Sequence, residues 1–403
     1  MLLALVGSCA VAPLDAAAQF IRVPLRPPAP DLPKREPPTL TPSVTVTEEF
    51  NDNVFLDNRR RRSDFITAVA PGLDFAGETP DFRFAGRYRL TAEFYDRHSE
   101  LDNTTDRHAA NLEFFYRLTP RVTLAAADEF NSGPDTPLVS PEGVSTGRGL
   151  AFHNSVVGAL TWALDANTGL RFVGAHTLER FDGVDAVDSD VYRAQGSFER
   201  VVVGKLTGIA DYEFALFDVR GDPQTQTHTP RLGMRYEIRQ GLVARLSAGP
   251  TVALREDDTR VTPALTASLE QQLPGGLASV LYDRAVGTAG GLGGTTDNQL
   301  VSVRLLLPSL VEKLQFDVSG RYATFDSATG GTLEVRVASV ALQATYRFTT
   351  WLSAMASYAW LRQRTRSGVG THGEPLASEV DQNRILFGLE IGYPLHLKHA
   401  PLK

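Results

Sequence analysis

The stretch Asp81–Asp96, DFRFAGRYRLTAEFYD, alternates so regularly that it limits what the rest of the chain can be. Phe82, Phe84, Gly86, Tyr88, Leu90, Ala92 and Phe94 fall on one parity. Arg83, Ala85, Arg87, Arg89, Thr91, Glu93 and Tyr95 fall on the other. A period of two is that of a β-strand, so the strand has one apolar and one polar face. In soluble sheets such alternation covers about 4–8 residues, the depth of a protein core. Here it runs through most of 16 residues, and a tilted strand needs only about 9–11 to cross a bilayer. A sheet with one face in lipid tolerates no open edge, because lipid cannot satisfy free N–H and C=O groups. The expected fold is therefore all-β, a closed antiparallel transmembrane barrel.

Composition agrees with this. Hydrophobic residues make up 42% of the 403 residues and mean hydropathy is −0.14. These values look soluble, but a barrel produces them because apolar and polar residues alternate instead of clustering. Beyond the N-terminus no apolar run approaches the roughly 18 residues of a spanning helix. A net charge of −7 argues against a nucleic-acid binder. Cys9 is the only cysteine, so neither a disulfide framework nor a cysteine metal site is available.

Leu2–Ala12 is an apolar core followed by Ala16-Ala17-Ala18, so residues 1–18 read as a secretory signal peptide that lacks a basic start. Residues 19–42 hold eight prolines, from Pro24 to Pro42, and read as an extended periplasmic arm. The barrel is expected over 43–395 and a short tail over 396–403. Within the barrel two kinds of connection alternate. Compact turns centre on Glu78–Pro80, Thr119–Arg121, Asp165–Asn167, Val203–Lys205, Gln240-Gly241, Leu273–Gly276, Pro308–Lys313 and Thr349-Thr350. Longer polar or Gly-rich connections occupy Asn51–Ser63, Arg97–Thr105, Ser132–Gly149, Asp182–Ser189, Arg220–Thr225, Glu256–Asp258, Thr288–Asp297, Ser327–Thr332 and Arg366–Val380. Nine loops and eight turns imply 18 strands, or 16 if no hairpin forms at Glu256–Asp258. Short periplasmic turns and longer outer loops are the arrangement of outer-membrane barrels.

Parity assigns faces. Lipid-facing sets include Leu112, Phe114, Tyr116; Leu160, Trp162; Leu206, Ala210, Tyr212, Phe214, Leu216; Leu232, Met234, Tyr236; Val301, Val303, Leu305, Leu307; and Leu314, Phe316, Val318, Tyr322. Tyr116, Trp162, Tyr236, Tyr346, Phe348 and Trp351 gather near short turns, as an interfacial girdle does. The apolar parity of Leu333–Phe348 switches from Val335 and Val337 to Val340, Leu342 and Tyr346, which predicts a β-bulge near Ala338. Pro71-Gly72 predicts a second bulge or kink.

The opposite parity gathers the charges. The candidate pore-lining residues are Arg83, Arg87, Arg89, Glu93, Glu113, Arg117, Arg171, Asp211, Glu213, Arg231, Arg235, Arg245, Arg304, Asp317, Arg321 and Arg347. Burying one unpaired ion costs several kcal/mol, so the lumen must be wet or heavily cross-paired. A wet lumen gives a channel for polar or anionic solutes; a cross-paired one gives an accessory barrel with a closed lumen. Neither needs a cofactor, a metal or catalysis. His153-Asn154-Ser155 has a spacing that could serve nucleophilic chemistry, but no third partner is in view, and no enzyme activity is assigned. His98, His108, His176, His228 and His372 show no metal-ligand spacing. Asp182–Asp190 (DGVDAVDSD) reads as a solvated acidic loop rather than a Ca²⁺ site.

Three segments carry a family resemblance: Ser43–Leu56 (SVTVTEEFNDNVFL), Ser63–Phe75 (SDFITAVAPGLDF) and the strand Asp81–Asp96. Over about Pro42–Phe130 the chain resembles the β-barrel porin 2 family of Gram-negative outer-membrane proteins. The resemblance implies an outer-membrane barrel of poorly defined activity, some relatives being associated with exopolysaccharide production and export. It supplies no catalytic residue. The strand Asn383–Tyr393 looks like the terminal strand read by barrel-assembly machinery, although Pro394–Lys403 follows its aromatic end. Expected partners are outer-membrane lipid and lipopolysaccharide, that machinery, and polysaccharide or anionic solutes.

Overall fold

A computed structural model describes residues 36–182, 186–256, 258–308, 313–327, 333–366 and 379–397. The expected signal peptide, most of the arm, the 367–378 connection and the end of the tail lie outside them. The strands are β1 (Glu36–Asn51), β2 (Asp64–Glu78), β3 (Phe82–Tyr95), β4 (Asn103–Thr119), β5 (Val122–Asp135), β6 (Arg148–Ala163), β7 (Thr168–Asp182), β8 (Ser189–Val203) and β9 (Leu206–Val219). They continue as β10 (Thr225–Arg239), β11 (Leu242–Arg255), β12 (Asp258–Leu273), β13 (Gly276–Gly287), β14 (Thr296–Pro308), β15 (Leu314–Ser327), β16 (Glu334–Arg347), β17 (Leu352–Arg366) and β18 (Glu379–Gly392). Each pairs antiparallel with its sequence neighbours, and β18 returns to β1 from Ser43↔Gly392 to Asn51↔Arg384. The result is the expected closed barrel with eighteen wall strands. The hairpin at Glu256–Asp258 exists, with β11 and β12 paired from Arg255↔Asp258 to Leu242↔Gln271, which decides against sixteen. A two-residue β19 (Leu395-His396) adds to β1 at Thr39-Leu40. The wall thus begins at Glu36, so the last residues of the proline-rich stretch belong to the sheet.

The exterior is apolar strand after strand. Leu112, Phe114, Tyr116 and Leu118 on β4, Leu232, Met234, Tyr236 and Ile238 on β10, and Ile385, Phe387, Leu389 and Ile391 on β18 are all exposed. A continuous surface of this kind belongs against lipid. Its lower edge carries Tyr116, Trp162, Phe198, Tyr236, Phe348, Trp351 and Tyr393 beside the short turns. Its upper edge is a row of cross-strand pairs: Tyr88 Oη to His108 Nδ1 at 2.8 Å, Tyr212 Oη to His228 Nδ1 at 2.7 Å, and His176 stacked on Tyr192 at 4.5 Å. Glu48 joins the row by accepting the Thr67 hydroxyl at 2.7 Å. Between Tyr236 and His228 a strand tilted near 40° climbs roughly 20 Å, close to the apolar band of about 25 Å that such barrels present. These histidines are therefore interfacial groups.

Both expected bulges are absent. β16 pairs without a register shift from Glu334 to Arg347, and Val335 and Val337 point inward, buried to 0% and 1%. The switch in apolar parity marks a place where the inside of the barrel is itself apolar. At Pro71-Gly72 the ladder to β3 skips the proline and resumes on the same register at Gly72↔Arg89. Gly72 leaves room for Arg89: a Cβ there would lie 1.8 Å from Arg89 Nη1, so the arginine side chain would have to shift.

Gly249 has a stricter role. A Cβ at this position would lie 1.9 Å from the Pro230 carbonyl oxygen, where β10 and β11 approach without ladder pairs between His228↔Val252 and Leu232↔Ala248. Backbone cannot yield as a side chain can. Gly249→Val is expected to destabilise the barrel by about 1–3 kcal/mol, seen as unfolding of unboiled protein on gels at lower temperature than wild type.

Candidate pore and its inserted loop

The connection between β5 and β6 does not stay at the rim. It starts with a one-turn helix, α1 (Thr136–Val139), and is closed at its base by Thr136 Oγ1 donating to the Gly147 carbonyl at 2.9 Å while accepting the Thr146 N–H at 3.1 Å. From there it crosses to the far wall. The Ser145 N–H donates to Gln363 Oε1 at 2.7 Å and Gln363 Nε2 donates to the Ser145 carbonyl at 2.8 Å, both on the buried face of β17. Arg321 of β15 donates to the Pro141 carbonyl. Val144, at 0% exposure, packs with Ala323, Phe325, Val335 and Val337 from β15 and β16, and with Ala289 and Leu292 from the β13–β14 connection. That second connection also folds inward. It turns through Gly290, Gly291, Gly293 and Gly294, all at positive φ, and a side chain at Gly291 would strike Phe181 at 2.7 Å. The inward valines therefore form a dock, and burying Val144 there supplies about 1.5–3 kcal/mol toward holding the loop inside.

The wall below and around the loop is lined by charge. Arg384 makes two hydrogen bonds to Glu49, at 2.7 and 2.6 Å. Arg107 pairs with Glu93, and Arg148 reaches Asp135 at 3.0 Å and the Tyr95 hydroxyl at 2.7 Å. Arg89 bridges Asp74 at 3.2 Å, Glu390 at 3.1 Å and Ser43 at 2.8 Å, while Arg87 takes the other Asp74 oxygen. Glu213 lies between Arg193 at 3.3 Å and Arg231 at 3.1 Å, and Arg304 pairs with Asp317 at 2.8 Å. Arg245 stands 4.0 Å from Asp211 with 36% of its side chain exposed.

Among the sequence-read lumen residues, Arg89, Glu93, Glu213 and Arg231 are thus tied into the wall, while buried Asp211 has only Ser247 at 3.5 Å and Arg245 at 4.0 Å. Arg83 and Arg347 are exposed at the short-turn rim. Arg117 lies next to that rim, with its N–H bonded to the Asp81 carbonyl. Arg171 and Arg235 fall on the same inner arc as Arg245, Arg235 opposing it in register. Glu113 shares the inward parity yet is exposed, as is neighbouring Asn111, so water reaches the inner wall there. Glu49, Arg107, Asp135, Arg148, Glu142 and Gln363 escaped the candidate set. Only the parity switch at Val335 and Val337 signalled that a loop docks inside.

His153 and Ser155 do not form a catalytic pair. His153 is buried to 1% with Nδ1 3.8 Å from Glu179 Oε1, and neither ring nitrogen has a hydrogen-bond partner. Among the described residues no group of three or more His, Cys, Asp or Glu side chains could hold a metal. Asp188 and Asp190 of the acidic loop pair instead with Arg220 at 3.2 Å and with Arg180.

Glu142 is the one ionisable residue of the inserted loop. Its carboxylate accepts the Ser140 hydroxyl at 2.7 Å, and Glu179 and His153 are its ionisable neighbours. Burial first, and the Glu179 charge second, push Glu142 up to about 7. The docked loop therefore favours neutral Glu142: docking is strongest below the ordinary carboxylate value and weakens as pH rises through about 7. The loop is expected to loosen between pH 6 and 8, read as protease access to residues 136–147, and Glu142→Gln is expected to abolish that dependence.

The family model of the autotransporter β-domain matches residues 316–402, less than half of the chain. No curated protein matches the chain. Among solved structures it is similar to OccAB4 of Acinetobacter baumannii, with 9% identity, 90% of this chain and 99% of that chain covered, and a TM-score of 0.42. It is also similar to two proteins of Pseudomonas aeruginosa, each at 12% identity with 89% of this chain and 98% of the other covered: OpdQ at a TM-score of 0.43 and OpdO at 0.44. Likeness at these scores carries no functional inference.

Proposed function

We propose that the protein is an outer-membrane channel through which polar or anionic solutes diffuse passively, narrowed by the inserted β5–β6 loop. The observation that carries this reading is the exposure of inward-facing charged and polar groups. Asn111 and Glu113 are open to solvent on the inner wall, and Arg87, Arg245 and Arg304 keep 31%, 36% and 33% of their side chains exposed although each has an acidic neighbour. Ions of this kind need water around them, and water in a barrel bounded by lipid is a pore. The arc of Arg171, Arg235 and Arg245 favours anions. An anionic polysaccharide strand, which the family resemblance suggests, is a further candidate solute.

A second reading draws support from the dock itself. Two loops sealed by a dry apolar cluster and a buried glutamine suit an accessory barrel with a closed lumen. Single-channel recording of the refolded protein in a planar bilayer separates the two. A steady conductance supports the channel, and silence from heat-modifiable, folded protein supports the closed barrel. Two variants refine the result. Arg235→Gln/Arg245→Gln is expected to lower anion preference, measured as a shift in reversal potential across a salt gradient. Gln363→Ala removes both hydrogen bonds to Ser145 and is expected to enlarge the conductance step.

A further inference from the structure

The connection from β1 to β2 carries four consecutive arginines, Arg59–Arg62, all exposed. A basic run on a surface is usually just solvated, but this one stands on a built platform. Asn53, at 0% exposure, donates to the Asp381 carbonyl at 2.9 Å and to Asn58 Oδ1 at 3.3 Å, and accepts the Asp57 N–H at 3.1 Å. Asn58 Oδ1 also accepts the Asp381 N–H at 2.8 Å, tying the loop to β18. Val54 and Leu56 are buried beneath it, and the Val54 N–H closes on the Arg62 carbonyl at 2.9 Å. The backbone is fixed while the guanidiniums project outward. Arg61 is held by Asp52, Arg60 lies 4.0 Å from Asp57, and Arg62 rests over the Phe55 ring at 5.6 Å. Arg97 of the β3–β4 connection, 61% exposed and 3.9 Å from Asp96, adds a fifth cation, its N–H pinned by Asp64 at 3.0 Å.

Height decides what these arginines meet. On the lipid face of β1 and β2 the upper girdle lies at Glu48 and Thr67, with the Phe50 and Phe65 rings 5.3 Å apart just above. Only three residues of β1 remain beyond Glu48, about 10 Å of strand. The headgroup layer adds roughly 5–8 Å to each side of the hydrocarbon, so the arginines lie within or just above it. We propose that Arg59–Arg62 with Arg97 form a docking surface for the phosphate groups of outer-leaflet glycolipid headgroups. Guanidinium forks match phosphate oxygens in geometry as well as charge. Exposed cations spread over two neighbouring connections suit an extended anionic layer better than a single free anion, which needs donors that converge. The inference rests on the outer-membrane reading above.

The test uses the full chain reconstituted into phosphatidylcholine vesicles containing lipopolysaccharide, re-extracted in mild detergent, with retained lipopolysaccharide counted per protein. Wild type is compared with Arg59→Gln/Arg60→Gln/Arg62→Gln, which leaves the Arg61–Asp52 pair intact. The expected result is retention by wild type, weaker by about fivefold for each arginine removed, and an equal loss when the lipopolysaccharide has been stripped of phosphate. Equal retention by wild type and variant would overturn the proposal, as would retention insensitive to dephosphorylation. A soluble acidic polysaccharide that binds with the same arginine dependence and displaces the lipopolysaccharide would overturn its assignment to lipid. Failure of wild type to insert into vesicles of phosphatidylcholine alone would sink the membrane reading and this proposal together; insertion without arginine-dependent retention would sink the docking surface alone.

Discussion

Everything in this molecule depends on the rule that a backbone crossing lipid must satisfy its own hydrogen bonds. A single edge strand would leave a row of N–H and C=O groups facing hydrocarbon, at several kcal/mol for each unsatisfied group. The pairing of β18 with β1 over nine register positions removes that edge. Closure fixes the alternation of faces, because every side chain then points either to lipid or to the lumen. It also explains how Pro230, Pro250 and Pro263 are tolerated on neighbouring strands. Each faces outward and the register on both sides holds, although β10 and β11 lose their pairs from Thr229 to Arg231.

With the outside committed to lipid, most of the ionic chemistry of the spanning strands goes inside. There it does two different things. Cross-strand pairs such as Glu49–Arg384 and Glu93–Arg107 brace the wall, and each satisfies charges whose separate burial would be prohibitive. Breaking such a pair would cost more than making it contributes, so these residues are poor candidates for tuning a solute's path. Arg235, Arg245 and Glu113 belong to another group, near water and away from tight partners. The sequence places both groups on one parity and does not distinguish them.

The docked loop reverses the usual logic of a barrel interior. Val335, Val337 and Phe325 are apolar and inward, an unstable arrangement in a water-filled pore, and they become stable because Val144 and Leu292 cover them. A period-two reading takes an apolar residue as lipid-facing, so it turned these valines outward and invoked a bulge to do so. The same reading succeeded on β3, β4 and β10, where inside and outside differ in polarity. It failed where the inside is locally dry. The upper girdle was missed for a related reason: its Tyr–His pairs, such as Tyr88–His108, join residues twenty positions apart.

The sequence alone determined the strand period, the two classes of connection and which side of most strands meets lipid, and it narrowed the count to sixteen or eighteen strands. These follow from local alternation and turn chemistry, which each segment carries by itself. Only the tertiary structure decided which inward arginines are tied and which are open, where the β5–β6 loop goes, and why four arginines stand together above the lipid girdle. Those depend on contacts between residues far apart in the chain, Ser145 with Gln363 and Asn53 with Asp381. Such contacts come into being only when closure of the sheet brings distant strands to the same height.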